Sequence, residues 1–137
     1  MLIGLLFNSF LLIGSVIAVL FGGSLERKFV GFLLFCTLST VLFNAEFGRD
    51  AARFGITSVD IAILVAVVSI AFRHNRYWPL WFAGLHSITV LSDLLLPLFP
   101  NDYSAYFIAF SGFWALPAML VMAVGVIKDH RADIRCN

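Results

Sequence analysis

Residues 77–99 read YWPLWFAGLHSITVLSDLLLPLF. The run is long enough to cross a bilayer, which takes about 20 mostly apolar residues in a helix. It also carries His86, Thr89 and Asp93, polar groups that a lipid-facing helix avoids. Whether the stretch is a soluble core helix or a membrane span decides the fold, and composition chooses between the two. Of 137 residues, 61% are hydrophobic and 12% charged, with a mean hydropathy of +0.99. Soluble domains are about 45–50% apolar and about 25% charged. The excess is too large for a soluble core, so the chain reads as an all-α, polytopic transmembrane helix bundle, a single domain over residues 1–137.

Working outward from Tyr77–Phe99, four more segments approach spanning length: Leu2–Phe21, Phe29–Phe47, Phe54–Phe72 and Tyr103–Ile127. Five helices result. The third is the weakest, because Thr57, Ser58 and Asp60 dilute its start. The first lacks a basic leading region and exceeds the roughly 7–15 apolar residues of a signal peptide, so it reads as a retained transmembrane helix. The connections GGSLERK, GRDAAR, RHNR and PND are short, which makes sequential helices antiparallel neighbours. EFGRDAARFG is expected to form an interfacial helical turn, and Pro117 to kink the fifth helix. There is no internal repeat, and an odd helix count argues against two inverted halves.

Basic residues orient the bundle. Arg27, Lys28, Arg73, Arg76, Lys128, Arg131 and Arg135 fall on one side, against Arg49 and Arg53 on the other. The richer side is expected to be cytoplasmic, with the N-terminus outside and the C-terminus inside the cell. Tyr77, Trp78 and Trp81 then read as an inner aromatic belt, and Tyr103 and Tyr106 as an outer one. His74 and His130, within RHNR and KDHRAD, read as solvated anchors at the cytoplasmic ends.

Depth follows from topology. At 1.5 Å per residue, Asp93 lies about 10 Å and Asp60 about 9 Å from the outer surface. Asn8 falls at a similar depth, and Asn44 and Glu46 close the outer end of the second helix. His86 lies near mid-membrane. Asp60, His86, Thr89, Asp93 and Asn8 form the candidate ligand-binding set. An ionised side chain at the bilayer centre costs at least about 2.5–3.5 kcal/mol on insertion scales, so these residues should face the bundle interior. His86 and Asp93 are about 10.5 Å apart along the helix axis. Water, Thr89 or Asp60 must therefore bridge them, with Arg49 or Arg53 able to fold in from the outer loop. A histidine titrates near pKa ~6.5, which makes the stripe proton-sensitive. Two functions fit: an outward-facing site that binds or conducts a small polar or ionic species, alone or as a subunit of a larger complex, and an accessory membrane subunit whose polar residues are packing contacts between helices.

Other classes find no support. The net charge of +1, without a basic stripe and interleaved aromatics, excludes nucleic acid as a partner. Membrane lipid is the expected surrounding, with partner subunits or further copies of the chain possible. Cys36 lies in an apolar run and Cys136 in the tail, so no disulfide is expected, and no C-x-x-C spacing points to a metal. His86 is the sole histidine in the apolar region, which disfavours bis-histidine haem; single-histidine ligation of a pigment stays open, and the cofactor is unknown. No nucleophile motif, phosphate-cradling glycine loop or H-E-x-x-H occurs, so catalysis is not expected.

The segment RHNRYWPLWFAGLHSITVLSD with the downstream FWALPAML resembles small uncharacterised polytopic inner-membrane proteins of alphaproteobacteria. The likeness lies in an R-x-W-P-x-W-x-x-G entry to one helix and an F-W-x-x-P patch in the next, and it covers roughly the C-terminal half. It implies a bacterial inner membrane, carries no activity with it and assigns no residue a role.

The charge asymmetry generates a test. Reporter fusions at Asn137 and after Arg53 should report opposite sides of the membrane. Same-side reporting would remove the five-helix topology.

Overall fold

A computed structural model describes the backbone of residues 2–47, 49–74, 76–98 and 104–136, and the side chains of these except 2–5, 49–50, 104–109, 111 and 132–136. Five α-helices follow one another: α1 (Leu2–Phe21), α2 (Ser24–Glu46), α3 (Arg49–Arg73), α4 (Trp78–Leu95) and α5 (Ser104–Cys136). A 3-10 turn, Leu96–Leu98, closes α4. Pro97 has no N–H to donate to the carbonyl of Asp93, which is where an α-helix would bond. Helices α2 to α5 are each long and apolar enough to cross a membrane, and Leu6–Phe21 of α1 is a shorter apolar helix. Leu12, Leu20, Phe35, Leu38, Val65, Leu80, Leu91 and Phe113 all point outward. An apolar surface on every helix is what hydrocarbon selects, since lipid is the solvent there.

The helices extend beyond the limits that hydropathy sets. Helix α2 begins at Ser24 rather than Phe29, because Glu26 reaches back to cap it: the Gly23 N–H donates to Glu26 Oε2 at 2.9 Å. This is the carboxylate half of a capping box. Helix α3 begins at Arg49, so the expected interfacial turn is largely its own first turn. Helix α5 continues past Ile127 to Cys136. Its 33 residues span about 50 Å at 1.5 Å per residue, beyond the ~30 Å of hydrocarbon, so at least one end of α5 stands in the interface or in water. Pro117 lies inside α5.

Each helix packs on the next, and α5 returns to pack on α1, closing a ring. The α4–α5 seam is the most extensive and α1–α2 the least among these neighbours. One end of the ring, here the basic end, carries the α1–α2 and α3–α4 connections. Phe29, Trp78 and Phe82 meet just above it. The Phe29 ring lies 5.4 Å from Trp78 and 5.5 Å from Phe82, the latter edge to face, a favoured aromatic geometry. Val67, Met122 and Val126 complete this dry half. Trp78 is therefore core and not belt: it is 2% exposed, and a Cβ at Gly125 of α5 would collide with it. Tyr77 and Trp81 remain exposed, as an interfacial belt requires. Tyr103 and the side chain of Tyr106 lie outside the described residues.

Below the aromatics is an ionic cluster that hydropathy does not reveal. Arg76 Nη1 lies 2.8 Å from Asp129 Oδ2 and 3.4 Å from Glu26 Oε1. Glu26 is 2% exposed. One guanidinium thus joins α2, the α3–α4 connection and α5. His130 packs edge to face on Phe21, the last residue of α1, so this histidine is a helix contact rather than a solvated anchor alone. His74 is exposed.

Arg76→Gln strands a buried carboxylate. It should cost about 2–3 kcal/mol, below the about 3–5 of a fully buried pair because Arg76 is 30% exposed. Adding Glu26→Gln should recover part of the loss. Thermal unfolding in detergent measures both; an unchanged midpoint for the single variant would contradict the clamp.

Candidate functional site

Above Phe82 the ring is not filled. A partly open cavity of about 130 Å³ lies between the helices, and all five line it. Phe7 comes from α1; Leu33, Cys36, Thr37 and Thr40 from α2; Ile56, Asp60 and Ile63 from α3; His86 and Thr89 from α4; Ala115, Ala118 and Met119 from α5. Helices α2 and α3 contribute residues from their middles and from the halves nearer their mutual connection, so the cavity lies toward the end opposite the ionic cluster. Its volume admits several waters, and its polar groups supply the partners that water needs.

Helical spacing gathers the polar side chains. On α4, Phe82, His86 and Thr89 are three or four residues apart and share the inward face; all three are buried. The His86 ring lies 5.8 Å from that of Phe82, which makes it the floor of the cavity. On α2, Cys36 and Thr40 are one turn apart, with Thr37 beside them.

Asp60 joins the two polar ends of α4. His86 Nε2 lies 3.1 Å from the backbone carbonyl oxygen of Asp60 and 3.8 Å from its carboxylate Oδ1. A carbonyl oxygen only accepts, so Nε2 carries the hydrogen, and Nδ1 is the acceptor of the neutral ring. The Asp60 side chain also lies beside that of Asp93. Two carboxyls can bond only with a proton on one of them. The 10.5 Å axial gap expected between His86 and Asp93 is thus bridged from α3. The arrangement can store a proton and present carboxyl oxygens and an imidazole to a small guest.

The candidate set divides. Asp60, His86 and Thr89 line the cavity, and Asp93 lies beside Asp60. Asn8 does not join them: its side chain is exposed, and its neighbour Phe7 lines the cavity instead. Asn44 and Glu46 are also exposed; the Asn44 amide donates to the Thr40 carbonyl at 3.0 Å. Arg53 does not line the cavity, and the side chain of Arg49 lies outside the described residues. Sequence reasoning missed Cys36, Thr37 and Thr40. Their signal was a polar cluster, CTLST, midway along an otherwise apolar span at the depth of Asp60.

Cys36 is buried and free. Among the described residues, no group of three or more His, Cys, Asp or Glu is placed to hold a metal ion. No family model, curated protein or solved structure matches the chain.

Juxtaposed carboxyls predict a crosslink. Cysteines introduced at 60 and 93 should be joined by a short bifunctional reagent in membranes, while a pair at 60 and 72 should not. If both positions label as lipid-exposed instead, the shared interior space is wrong.

Proposed function

We propose that this integral membrane protein binds a small cation or polar hydrogen-bond donor, together with a proton, in the cavity floored by His86. The observation that carries the reading is the Asp60 carboxyl, set between His86 and Asp93 at the edge of a cavity that all five helices line. Ionisable groups inside a membrane bundle are costly to keep, and those that persist commonly mark ion or proton sites. Among the described residues, no Lys or Arg lines the cavity, so its electrostatics favour positively charged or donor guests over anions. Interhelical packing alone needs no cavity beside the polar groups.

Charge asymmetry supports an orientation in which the basic end faces the cytoplasm, the N-terminus lies outside and the cavity opens outward. With the resemblance of the C-terminal half, this reading locates the protein in a bacterial inner membrane. The dry half between the cavity and the basic end, built on Phe29, Trp78, Phe82 and Val67, makes the site one-sided in this conformation. The protein binds, and does not form an open pore.

Cys36 offers a native reporter. In a Cys136→Ser background, a small membrane-impermeant cationic thiol reagent added outside cells should modify Cys36. Protection of Cys36 should depend on outside pH, and His86→Gln should abolish that dependence at near-normal expression; Asp93→Asn should shift it. A Cys36 that reacts only from the cytoplasmic side would reverse the orientation. A Cys36 inert from both sides, with both variants merely lowering the amount of folded protein, would leave the polar groups as packing contacts.

A further inference from the structure

Asn8, which the cavity does not use, presents a problem of solvation. Helix α1 has 20 residues, about 30 Å at 1.5 Å per residue, which matches the hydrocarbon thickness of ~30 Å. Asn8 lies six residues after Leu2, about 9 Å along that path. Its side chain is exposed, and it makes no hydrogen bond among the described residues. Lipid at this depth offers no donors or acceptors, and an unpaired polar group there is costly.

The rest of the chain shows how such groups are ordinarily satisfied. Ser15, Thr37, Ser39, Thr40, Ser58, Ser69, Ser87 and Ser92 each donate to the carbonyl four residues earlier, at 2.6–3.0 Å. The Asn44 amide does the same. A hydroxyl can meet its main requirement this way within its own helix. A carboxamide has two N–H donors and a carbonyl acceptor, and a helix interior has no free N–H to offer that acceptor. Asn8 needs a donor from outside the helix.

We infer that Asn8 marks an interface with a second copy of this chain, formed along α1. A carboxamide is self-complementary: across a two-fold axis each Nδ2–H donates to the Oδ1 of the other, so both groups are paired by one contact. Such isologous dimers are the commonest homo-oligomers, and Asn is a known interhelical adhesive in membranes. Leu12, Val16 and Val19 follow Asn8 at helical spacing on the same side of α1 and are 63%, 55% and 52% exposed. They form an apolar ridge for the partner helix to pack against. The interface is separate from the cavity and does not rest on the proposed function.

The test uses full-length protein in membranes with Cys36→Ala and Cys136→Ser. Asn8→Cys should form a disulfide-linked homodimer on mild oxidation, whereas Ile13→Cys, exposed on the other side of α1, should not. By subunit counting in dilute vesicles, Asn8→Leu should weaken self-association by roughly 8- to 300-fold, the range for the two interhelical hydrogen bonds of the symmetric contact, and Asn8→Gln should retain most of it. Three outcomes would overturn the inference: crosslinking at position 13 but not 8, self-association unaffected by Asn8→Leu, or Asn8→Cys captured only by a different protein. Because Asn8→Cys reports proximity directly, a poorly folding Asn8→Leu variant would not decide the matter.

Discussion

Hydrocarbon offers a polar group nothing to bond to, and the architecture depends on that single deprivation. Backbone groups satisfy themselves in helices, and hydroxyls turn back on the preceding turn of their own helix. Groups with more to satisfy must be gathered from several helices at once. Asp60 shows the consequence. Its backbone carbonyl takes a hydrogen from His86, and its carboxyl meets that of Asp93. Helices α3 and α4 are therefore held in register by polar contacts as well as by packing. A one-turn slide between them would break both contacts and leave ionisable groups in lipid.

The two halves of the ring handle polarity differently. At the basic end, Arg76 is paired with Glu26 and Asp129, and the charge pairs compensate one another at the edge of the membrane. In the other half the polar groups border open space. The aromatic layer of Phe29, Trp78 and Phe82 separates the two. Its tight fit, down to the bare backbone of Gly125 against Trp78, keeps the cavity from continuing through the bundle.

Much of this was legible in the sequence, and the reasons are uneven. The membrane class follows from hydropathy, because spanning length and apolarity are local properties. Asp60, His86, Thr89 and Asp93 were legible because depth can be counted along helices of alternating direction. Asn8 shared their depth but not their azimuth. Depth needs only residue counting, whereas azimuth depends on how α1 rotates against its neighbours. Trp78 misled for a related reason. A tryptophan at a helix start beside Tyr77 and Trp81 fits an interfacial belt, and only Gly125, distant in sequence, makes room for it in the core. The role of Glu26 was hidden because an acid near a helix start reads equally well as solvated or capping, and its pairing with Arg76 and Asp129 is a long-range fact. Cys36, Thr37 and Thr40 were not read as part of the site because a thiol and hydroxyls that can bond within their own helix barely dent a hydropathy profile.

The closed ring has a consequence for how the protein is made. With five alternating helices, α1 and α5 run in the same direction where they meet, and Met122 of α5 packs close to Gly14 of α1. The seam joins α1 to α5, so it can form only after α5 has been synthesised. Until then α1 lacks one neighbour, and Ala115, Ala118 and Met119 do not yet wall the cavity. Asp60, His86 and Asp93 can meet earlier, since α3 and α4 are consecutive. The contacts of Asp60 with His86 and Asp93 need only α3 and α4, whereas the cavity beside them needs all five helices.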